Sequence, residues 1–320
     1  MGGYLGVDVG SVSTNLVATD DKGEIVASLY IRTQGQPINA LQEGLARLEG
    51  ELPPGFEIQG VGATGSGRTL AGVVVGADLV KNEITCHAVA AARLVPDVQT
   101  VLEIGGQDSK IIILRDGVVT DFAMNTVCAA GTGSFLDHQA ERLDVPIEEF
   151  GAYALRAKNP VRIAGRCTVF AESDMVHKQQ LGHSLEDIIA GLCEALVRNY
   201  LNNVGKGKEI LPPVVFQGGV AANVGIRAAF EKALGLKVYV PEAYGVMGAW
   251  GAALLAQERR ESKPTAGTKF RGFQAARLEY QTTSFDCKGC SNQCEVVSIS
   301  MEGKVIARWG DRCGRWENML

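Results

Sequence analysis

One β-rich unit occurs twice in the sequence, and this repeat constrains the fold more than any other feature. The first copy begins with Leu-Gly-Val-Asp-Val-Gly-Ser at 5–11, and the second with Leu-Glu-Ile-Gly-Gly-Gln at 102–107. In each copy an apolar strand carries an acidic residue near its end, Asp8 or Glu103, and a glycine turn leads into a returning strand. The repeat predicts an α/β protein built from two similar domains.

Apolar residues at helical spacing follow each copy of the unit. They predict helices at 37–48, 82–94, 134–143, 168–180, 184–202, 223–234 and 246–258, with later strands at 214–217 and 237–240. A length of 320 residues and a hydrophobic content of 46% suit two domains with their own cores. We predict a first domain at 1–97, a second at 98–260 whose last helix returns to the first domain, and a linker with a cysteine-rich extension at 261–320.

Charge and hydropathy exclude several classes of protein. The longest apolar run, at 243–256, is shorter than the roughly 20 residues that cross a bilayer, so no membrane segment is expected. The sequence enters a strand at Tyr4 without the pattern of a signal peptide, which predicts a cytoplasmic protein. A net charge of −5 argues against a nucleic-acid binder, although a local basic patch is compatible with it.

The two glycine turns are candidate phosphate-binding loops. Such turns direct backbone N–H groups at one point, and small hydroxyl side chains add donors without blocking a phosphate. The candidate residues are Gly10, Ser11, Ser13 and Thr14 in the first turn and Gly105 and Gly106 in the second. The carboxylates of Asp8 and Glu103 would repel phosphate, so their expected role is to hold hydrated Mg²⁺ or the attacking water. A glycine turn after a strand is more often structural, but its repetition favours function.

A third glycine turn follows the predicted strand at 214–217. The segment Phe-Gln-Gly-Gly-Val-Ala-Ala-Asn at 216–223 supplies Gly218, Gly219 and Val220, and Asn223 is placed to cap the next helix. Two glycines would let the backbone approach a flat ring closely. An ordinary turn between a strand and a helix explains the pattern equally well.

Together these segments resemble the signatures of the actin/Hsp70/sugar-kinase superfamily, with phosphate loops at 8–15 and 103–110 and an adenosine loop at 216–223. Two further segments, 125–137 and 165–174, are similar to the activator (component A) of 2-hydroxyacyl-CoA dehydratases. ATPase subunits of benzoyl-CoA reductases and reductases of double-cubane cluster proteins are related. The resemblance covers about residues 3–258 and implies two ribonuclease-H-like domains with ATP and Mg²⁺ in the cleft between them.

The resemblance also implies ATP contacts and catalytic groups beyond the first turns. Helices that connect the domains would begin near Gly131 and Gly245, which adds Gly131, Thr132, Gly133 and Gly245 to the expected ATP contacts. The side-chain amide of Gln107 would orient the attacking water, and Asp108 completes the expected catalytic set with Asp8 and Glu103.

Cys128 and Cys167 are the expected cluster ligands. The resemblance implies a homodimer that shares one [4Fe–4S] cluster, and a cubane needs about four thiolates, so two cysteines per chain require a twofold partner. Each precedes a predicted helix, whose N-terminus favours negative charge. ATP hydrolysis would drive electrons from the cluster to an iron–sulfur acceptor enzyme, with ferredoxin or flavodoxin as the donor. Burial as a small apolar side chain is the alternative for either cysteine.

Four of the eight cysteines lie close together in the tail, namely Cys287, Cys290, Cys294 and Cys313. Cytosolic thiols are reduced, which favours metal binding over disulfides. Four thiolates suit either zinc or a second iron–sulfur cluster, and the spacing does not separate the two. Cys86 and Cys193 lie within helical patterns and are expected in the core. The composition of 261–267 indicates a linker and hence a separable tail.

Two alternative functions stay open at this level. A small-molecule kinase of the same superfamily would use Asp108 as the base for an acceptor hydroxyl. A nucleotide switch without redox chemistry would bind partners only. Neither needs paired cysteines at helix starts, so the iron content of anaerobically purified protein distinguishes them from an electron-transfer ATPase.

Overall fold

The structure is a computed structural model that describes residues 2–125 and 128–316. The described residues of Met1–Glu83 and Gly248–Leu320 pack as one unit, and Ile84–Met247 form a second. The chain thus passes from the first unit to the second after residue 83, whereas the sequence placed the first boundary after residue 97.

The first unit is built on a five-stranded sheet with two helices in its N-terminal part. In chain order its elements are β1 (Gly2–Val9), β2 (Ser13–Asp20), β3 (Ile25–Arg32), α1 (Pro37–Glu51), β4 (Glu57–Thr64), α2 (Arg68–Val75) and β5 (Leu79–Val80). The strand order is β3-β2-β1-β4-β5, and β1 pairs antiparallel with β2 and parallel with β4. Helix α1 buries Leu41, Leu45 and Leu48, at helical spacing, in the core of this unit.

The second unit repeats the sheet. Its elements are α3 (Glu83–Leu94), β6 (Thr100–Ile104), β7 (Ser109–Arg115), β8 (Val118–Asn125), α4 (Gly133–Arg142), α5 (Ile147–Leu155), α6 (Thr168–Gln180), α7 (Leu185–Asn203), β9 (Val214–Gln217), α8 (Val224–Leu234) and β10 (Val238–Tyr239). The order β10-β9-β6-β7-β8 places β6 antiparallel to β7 and parallel to β9. Strand β6 therefore has the same pairing pattern as β1, with one antiparallel and one parallel neighbour. The predicted duplication is confirmed.

Helix α9 (Met247–Ser262) packs against the first sheet. A Cβ atom at Gly6 in β1 would meet the carbonyl oxygen of Ala249, and one at Gly62 in β4 would meet that of Ala252. Glycine is needed at both positions because the helix backbone lies directly on the strands. Among the described residues, no helix is long and apolar enough to cross a membrane.

The tail does not pack as the separable unit that its linker composition indicated. It forms a short 3₁₀ helix (Phe273–Arg277) and a three-stranded antiparallel sheet of β11 (Tyr280–Asp286), β12 (Glu295–Met301) and β13 (Lys304–Trp309). Ala275 and Ile299 are fully buried in the core that contains the side chains of α1. Arg271 donates from its backbone N–H to Val75 O (3.0 Å) and from Nε to Val73 O (3.1 Å). The tail is therefore part of the first unit.

Candidate functional site

A row of three polar side chains crosses the first sheet at Asp8. In register, Asp8 of β1 lies opposite Asn15 of β2 and Thr64 of β4, so the three side chains share one face of the sheet. Asn15 and Thr64 are buried, and Asn15 Oδ1 and Thr64 Oγ1 have no hydrogen-bond partner in the described chain. Buried oxygens without donors are costly unless a bound group satisfies them. This end of the first sheet thus presents oxygen ligands beside a carboxylate.

The first glycine turn is held by its own hydrogen bonds. The N–H of Gly10 donates to Ser13 O (2.8 Å), and Thr33 Oγ1 lies 3.0 Å from both Gly10 O and Thr14 Oγ1. Thr14 is therefore a buried support of the turn, whereas the side chain of Ser11 is exposed at its tip. Of the predicted phosphate contacts here, Ser11 presents its hydroxyl to solvent and Thr14 does not.

The equivalent row in the second sheet is charged. Glu103 of β6 lies in register with Lys110 of β7 and Gln217 of β9, and all three are buried. Lys110 Nζ lies 2.9 Å from Glu103 Oε2 and 2.9 Å from Asp108 Oδ1. The ammonium group thereby joins the strand carboxylate to the carboxylate of the turn. Because Asp108 is ion-paired, it is a poor candidate for the base that a small-molecule kinase needs.

Two further side chains complete this buried network. His87 of α3 lies with Nδ1 2.8 Å from Gln217 Nε2, and Tyr200 of α7 donates to Lys110 O (2.6 Å). Burial lowers the pKa of His87 to about 3, with a smaller contribution from the charge of Lys110, so this imidazole is neutral near pH 7. Neutral His87 Nδ1 accepts the amide hydrogen of Gln217. Burial, together with the nearby charge of Glu103, raises the pKa of Tyr200 well above its usual value.

The second glycine turn packs against the start of α4. The N–H of Gly105 donates to Asp108 O (3.0 Å), and the N–H groups of Gly133 and Ser134 donate to Gly105 O (2.9 Å) and Gly106 O (2.8 Å). A Cβ at Gly133 would lie 3.1 Å from Gly105 O, a tight contact that glycine avoids. Gln107 is exposed at the tip of the turn.

The remaining predicted ATP contacts lie near this network. Gly131 and Thr132 are buried ahead of α4, where Thr132 Oγ1 donates to Ala129 O (2.8 Å). Gly218 has φ +87°, and its N–H donates to Tyr244 O (2.8 Å), which brings the third turn beside Gly245. Gly219 is exposed and Val220 is buried.

The predicted cap at Asn223 is confirmed. Asn223 Oδ1 accepts from the N–H groups of Gly225 (3.0 Å) and Ile226 (3.1 Å) at the start of α8. This capping role accounts for Asn223 without a ligand.

Cys128 and Cys167 lie close together on the second unit. Cys128 precedes a 3₁₀ turn, Ala129–Gly131, and Cys167 precedes α6. Cys128 Sγ lies 3.9 Å from the carbonyl oxygen of Arg166, the neighbour of Cys167. Both thiols are partly exposed, whereas Cys86 and Cys193 are buried as predicted, and burial raises the pKa of Cys193 to about 12. Thr126 and Val127, which belong to the motif at 125–137, lie outside the described residues.

The tail cysteines make several contacts in the described structure, and the N–H of Cys287 donates to Cys294 O (2.8 Å). Cys287 Sγ accepts from Trp316 Nε1 (3.3 Å) and Gly289 N–H (3.4 Å), and these donors lower the pKa of Cys287. Cys313 Sγ donates to Asp311 Oδ2 (3.5 Å), and Cys290 is exposed. Within residues 2–125 and 128–316, no group of three or more His, Cys, Asp or Glu side chains is arranged to hold a metal ion. The second metal centre in the tail stays a prediction.

Several residues of the two rows were not identified from the sequence as parts of a site. Thr64, His87 and Tyr200 lie outside the three glycine turns chosen from the sequence, and Gln217 was included only in the segment of the third turn. A polar residue at the end of an apolar strand, as at Thr64 and Gln217, is the signal that could have found two of them. His87 has no such signal, because its partner is 130 residues away along the chain.

The chain is similar to several known proteins. The model of the BadF/BadG/BcrA/BcrD ATPase family matches residues 5–256. The (R)-2-hydroxyglutaryl-CoA dehydratase activating ATPase of Acidaminococcus fermentans is 38% identical over 265 residues, which cover 80% of this chain and 97% of that protein. The crystal structure of component A of the dehydratase from the same organism has a TM-score of 0.73, with 34% identity, and covers 82% of this chain and 100% of that chain.

A second solved structure is equally similar. The activator of the 2-hydroxyisocaproyl-CoA dehydratase from Clostridium difficile, with bound ADPNP, has a TM-score of 0.74 and 33% identity, and covers 83% of this chain and 98% of that chain. These likenesses confirm the predicted fold class of two duplicated α/β domains.

Proposed function

The chain belongs to the BadF/BadG/BcrA/BcrD ATPase family, and from this premise we propose that it couples ATP hydrolysis to electron transfer into an iron–sulfur enzyme. A 2-hydroxyacyl-CoA dehydratase is the leading acceptor, because the 38% identical relative is a dehydratase activator. A benzoyl-CoA-reductase-like enzyme or a double-cubane cluster protein belongs to the same proposed class. The observation that carries the proposal is the pair of partly exposed thiols, Cys128 before a 3₁₀ turn and Cys167 before α6.

Asp8 and its in-register neighbours fit a hydrated Mg²⁺. This ion prefers oxygen ligands and retains several waters, so side chains that accept from those waters suit it. Asn15 Oδ1 and Thr64 Oγ1 are buried oxygens that lack a hydrogen-bond donor in the described structure. We assign Asp8 to the water shell of the metal, with Asn15 and Thr64 in support.

The second turn fits phosphate chemistry in a different way. Gly105, Gly106 and Gly133 present backbone without side chains, and a Cβ at Gly133 would crowd Gly105 O at 3.1 Å. Exposed Gln107 provides an amide that can orient a water molecule for attack on a phosphoryl group. Glu103 is ion-paired with Lys110. We therefore assign Glu103 the role of holding Lys110 and the second glycine turn in place, in preference to a contact with metal-bound water.

The two thiols fit a cluster shared between two copies of the chain. A [4Fe–4S] cluster, when bound, would supply a one-electron redox centre. Cys128 and Cys167 provide two of the four thiolates, and their partial exposure leaves room for the same pair from a second copy. The N-terminal end of α6 stabilises negative charge on Cys167. A homodimer follows from this ligand count.

Anaerobic iron analysis and electron paramagnetic resonance of dithionite-reduced protein, with and without ATP, test the proposal. Apart from any iron held by the tail cysteines, the parent should bind about four irons per dimer, and Cys128→Ser or Cys167→Ser should lose the signal of the shared cluster while ATP still binds. Cys86→Ala, which removes a buried thiol, is the matched control and should retain the signal. A full iron complement with an unchanged spectrum in Cys128→Ser would overturn the assignment.

A further inference from the structure

A basic cavity of about 900 Å³ opens on the second unit next to the two thiols. The segment 162–166 forms one wall, and the last part of α7 with the residues after it forms the other. Arg162, Arg166, Arg198 and Lys206 line the cavity together with asparagines and Phe170, and none of its lining residues is acidic. This local charge contrasts with the net charge of −5 for the whole chain.

Three of the four cations have no charge partner among the residues that the structure describes. Arg162, Arg166 and Lys206 are exposed and take part in none of the ion pairs of the described residues. Arg198 donates to Ile163 O (2.6 Å) and lies 3.8 Å from Glu194, so it has a structural role. Burial lowers the pKa of Arg198, and the positive charge of Arg162 contributes to that shift. The cavity thus gathers like charges that an anionic partner would relieve.

The cavity and the thiols share a rim. Arg166 lines the cavity and directly precedes Cys167, and its carbonyl oxygen lies 3.9 Å from Cys128 Sγ. Phe170, in the first turn of α6, also lines the cavity and is 66% exposed, beside Val169, which is 65% exposed. Exposed aromatic and arginine side chains are typical of protein interfaces.

We propose that this basic cavity is the docking surface for a small acidic redox protein that delivers electrons to the centre held by Cys128 and Cys167. The inference rests on the proposed function and names the surface that its electron donor uses. Each docking event transfers one electron: the donor is oxidised by one electron, that centre is reduced by one, and no bond forms or breaks. Electrostatic attraction raises the rate of encounter and orients the donor at the thiols.

A site built for a small anion would look different. The buried polar side chain of the cavity, Asn199, is already satisfied, because its Nδ2 donates to Gly165 O and its Oδ1 accepts from Asn203 (2.8 Å). The cations that remain are exposed, as on a protein-binding surface. The second copy that a shared cluster requires would meet this chain at the thiols, but it is a poor occupant of the cavity itself, because a twofold contact there would bring the same positive charges together.

Binding of an oxidised, small acidic ferredoxin to the full-length dimer tests the surface. Calorimetric titration at about 20 mM and about 200 mM salt should show a Kd that rises at least about tenfold with salt. The double variant Arg162→Glu/Lys206→Glu should weaken binding at low salt by at least about tenfold. Lys237→Glu is the matched control, since Lys237 is exposed on the same unit but does not line the cavity, and its Kd should stay within about twofold of the parent value.

Stopped-flow reduction of anaerobic, cluster-loaded protein gives a second readout. The double variant should slow reduction by reduced ferredoxin at least about tenfold, whereas reduction by the small cation methyl viologen should not slow. Equal ferredoxin affinity in parent and double variant would overturn the docking surface. A double variant that only loses its affinity for inorganic phosphate, or that dissociates into monomers, would also overturn it.

These outcomes are distinct from failure of the proposed function itself. A parent protein with no reducible centre would overturn electron delivery even if ferredoxin bound. If methyl viologen reduces the parent but the double variant Arg162→Glu/Lys206→Glu binds ferredoxin as tightly as the parent does, the proposed function stands and the docking surface is wrong.

Discussion

The two sheets carry equivalent carboxylates with opposite surroundings. Asp8 lies in register with a neutral amide and a neutral hydroxyl, Asn15 and Thr64, whereas Glu103 lies in register with an ammonium group and an amide, Lys110 and Gln217. Duplication thus preserved the strand positions but changed the chemistry of the neighbours. A carboxylate beside orphaned oxygens suits a hydrated cation, and a carboxylate paired with a buried lysine suits a structural anchor.

The difference assigns separate tasks to the two turns. Lys110 reaches Asp108 in the second turn as well as Glu103 in the strand, so the geometry of this turn depends on a buried ion pair. The first turn is fixed instead by neutral hydrogen bonds among Gly10, Ser13 and Thr33. Substitutions in the polar row of the second sheet should therefore mainly lower the free energy of unfolding. Those in the polar row of the first sheet should mainly lower the rate of ATP hydrolysis.

Lys110→Met should give the largest loss of stability in either row. Removing one member of a buried ion pair costs about 3–5 kcal/mol, because the buried carboxylate of Glu103 loses its cationic partner. Urea denaturation of the apoprotein measures this loss. The in-register residue of the first sheet provides the comparison, and Asn15→Ala should cost no more than about 1 kcal/mol because its Oδ1 already lacks a donor.

The double variant Lys110→Met/Glu103→Gln identifies the cause. A neutral amide at position 103 removes the buried charge, so the double variant should recover part of the lost stability. If it is no more stable than Lys110→Met alone, the loss arises from packing and the proposed contrast between the rows is wrong.

Asp8→Asn should remove most of the ATPase activity and leave stability nearly unchanged. The substitution is isosteric and takes one negative charge from the expected Mg²⁺ shell, for which we expect a fall in kcat of at least about 100-fold, or about 2.7 kcal/mol. Steady-state phosphate release over a Mg²⁺ titration measures it. ATPase activity at the parental level would exclude Asp8 from the metal shell.

The sequence predicts the repeated sheet well because each copy of the unit is local. Strand, glycine turn and returning strand lie within one short segment, as at 5–19 and 102–114, and their apolar pattern identifies them directly. Helices α2 and α5 and strand β4 were not predicted. Helix α2 has only 8 residues, rich in valine, which suits a strand equally well.

The rows themselves could not be predicted in the same way. Asp8 and Thr64, or Glu103 and Gln217, become neighbours only through parallel pairing between distant strands. Strand register across such a distance is set by the packing of the whole sheet and leaves no local pattern. The tail was misjudged for a related reason, since Ile299 is buried against side chains from the opposite end of the chain.

His87 makes the stability of the second row dependent on pH. The unfolded chain binds a proton at His87 below about pH 6.5, whereas the folded protein does so only near pH 3, because burial lowers the pKa. As pH falls between these values the unfolded state gains the proton first, so stability decreases. Between about pH 7 and about pH 5 the loss from this group should be about 2 kcal/mol.

Urea midpoints of His87→Asn at both pH values check this effect. The Asn oxygen can accept from Gln217 Nε2 as His87 Nδ1 does, but it does not titrate. The difference between the variant and the parent should shrink or reverse as pH falls. His183→Asn, at an exposed histidine, is the control and should show the pH dependence of the parent. Parallel curves for His87→Asn and the parent would contradict the neutral, buried imidazole.

The smallest expected effect is a difference in kinetics between one variant in each glycine turn. Gln107 and Ser11 are exposed at the tips of the second and first turns. Gln107→Ala should lower kcat about tenfold with ATP affinity within about twofold of the parent, because its amide orients water and not the nucleotide. Ser11→Ala should instead weaken ATP binding with little change in kcat, because it removes one donor to phosphate in the ground and transition states alike. Single-turnover hydrolysis and equilibrium nucleotide binding distinguish the two patterns. If both substitutions raise KM and leave kcat unchanged, both turns only bind ATP. The contrast between the two sheets then does not include the residues at the tips of their glycine turns.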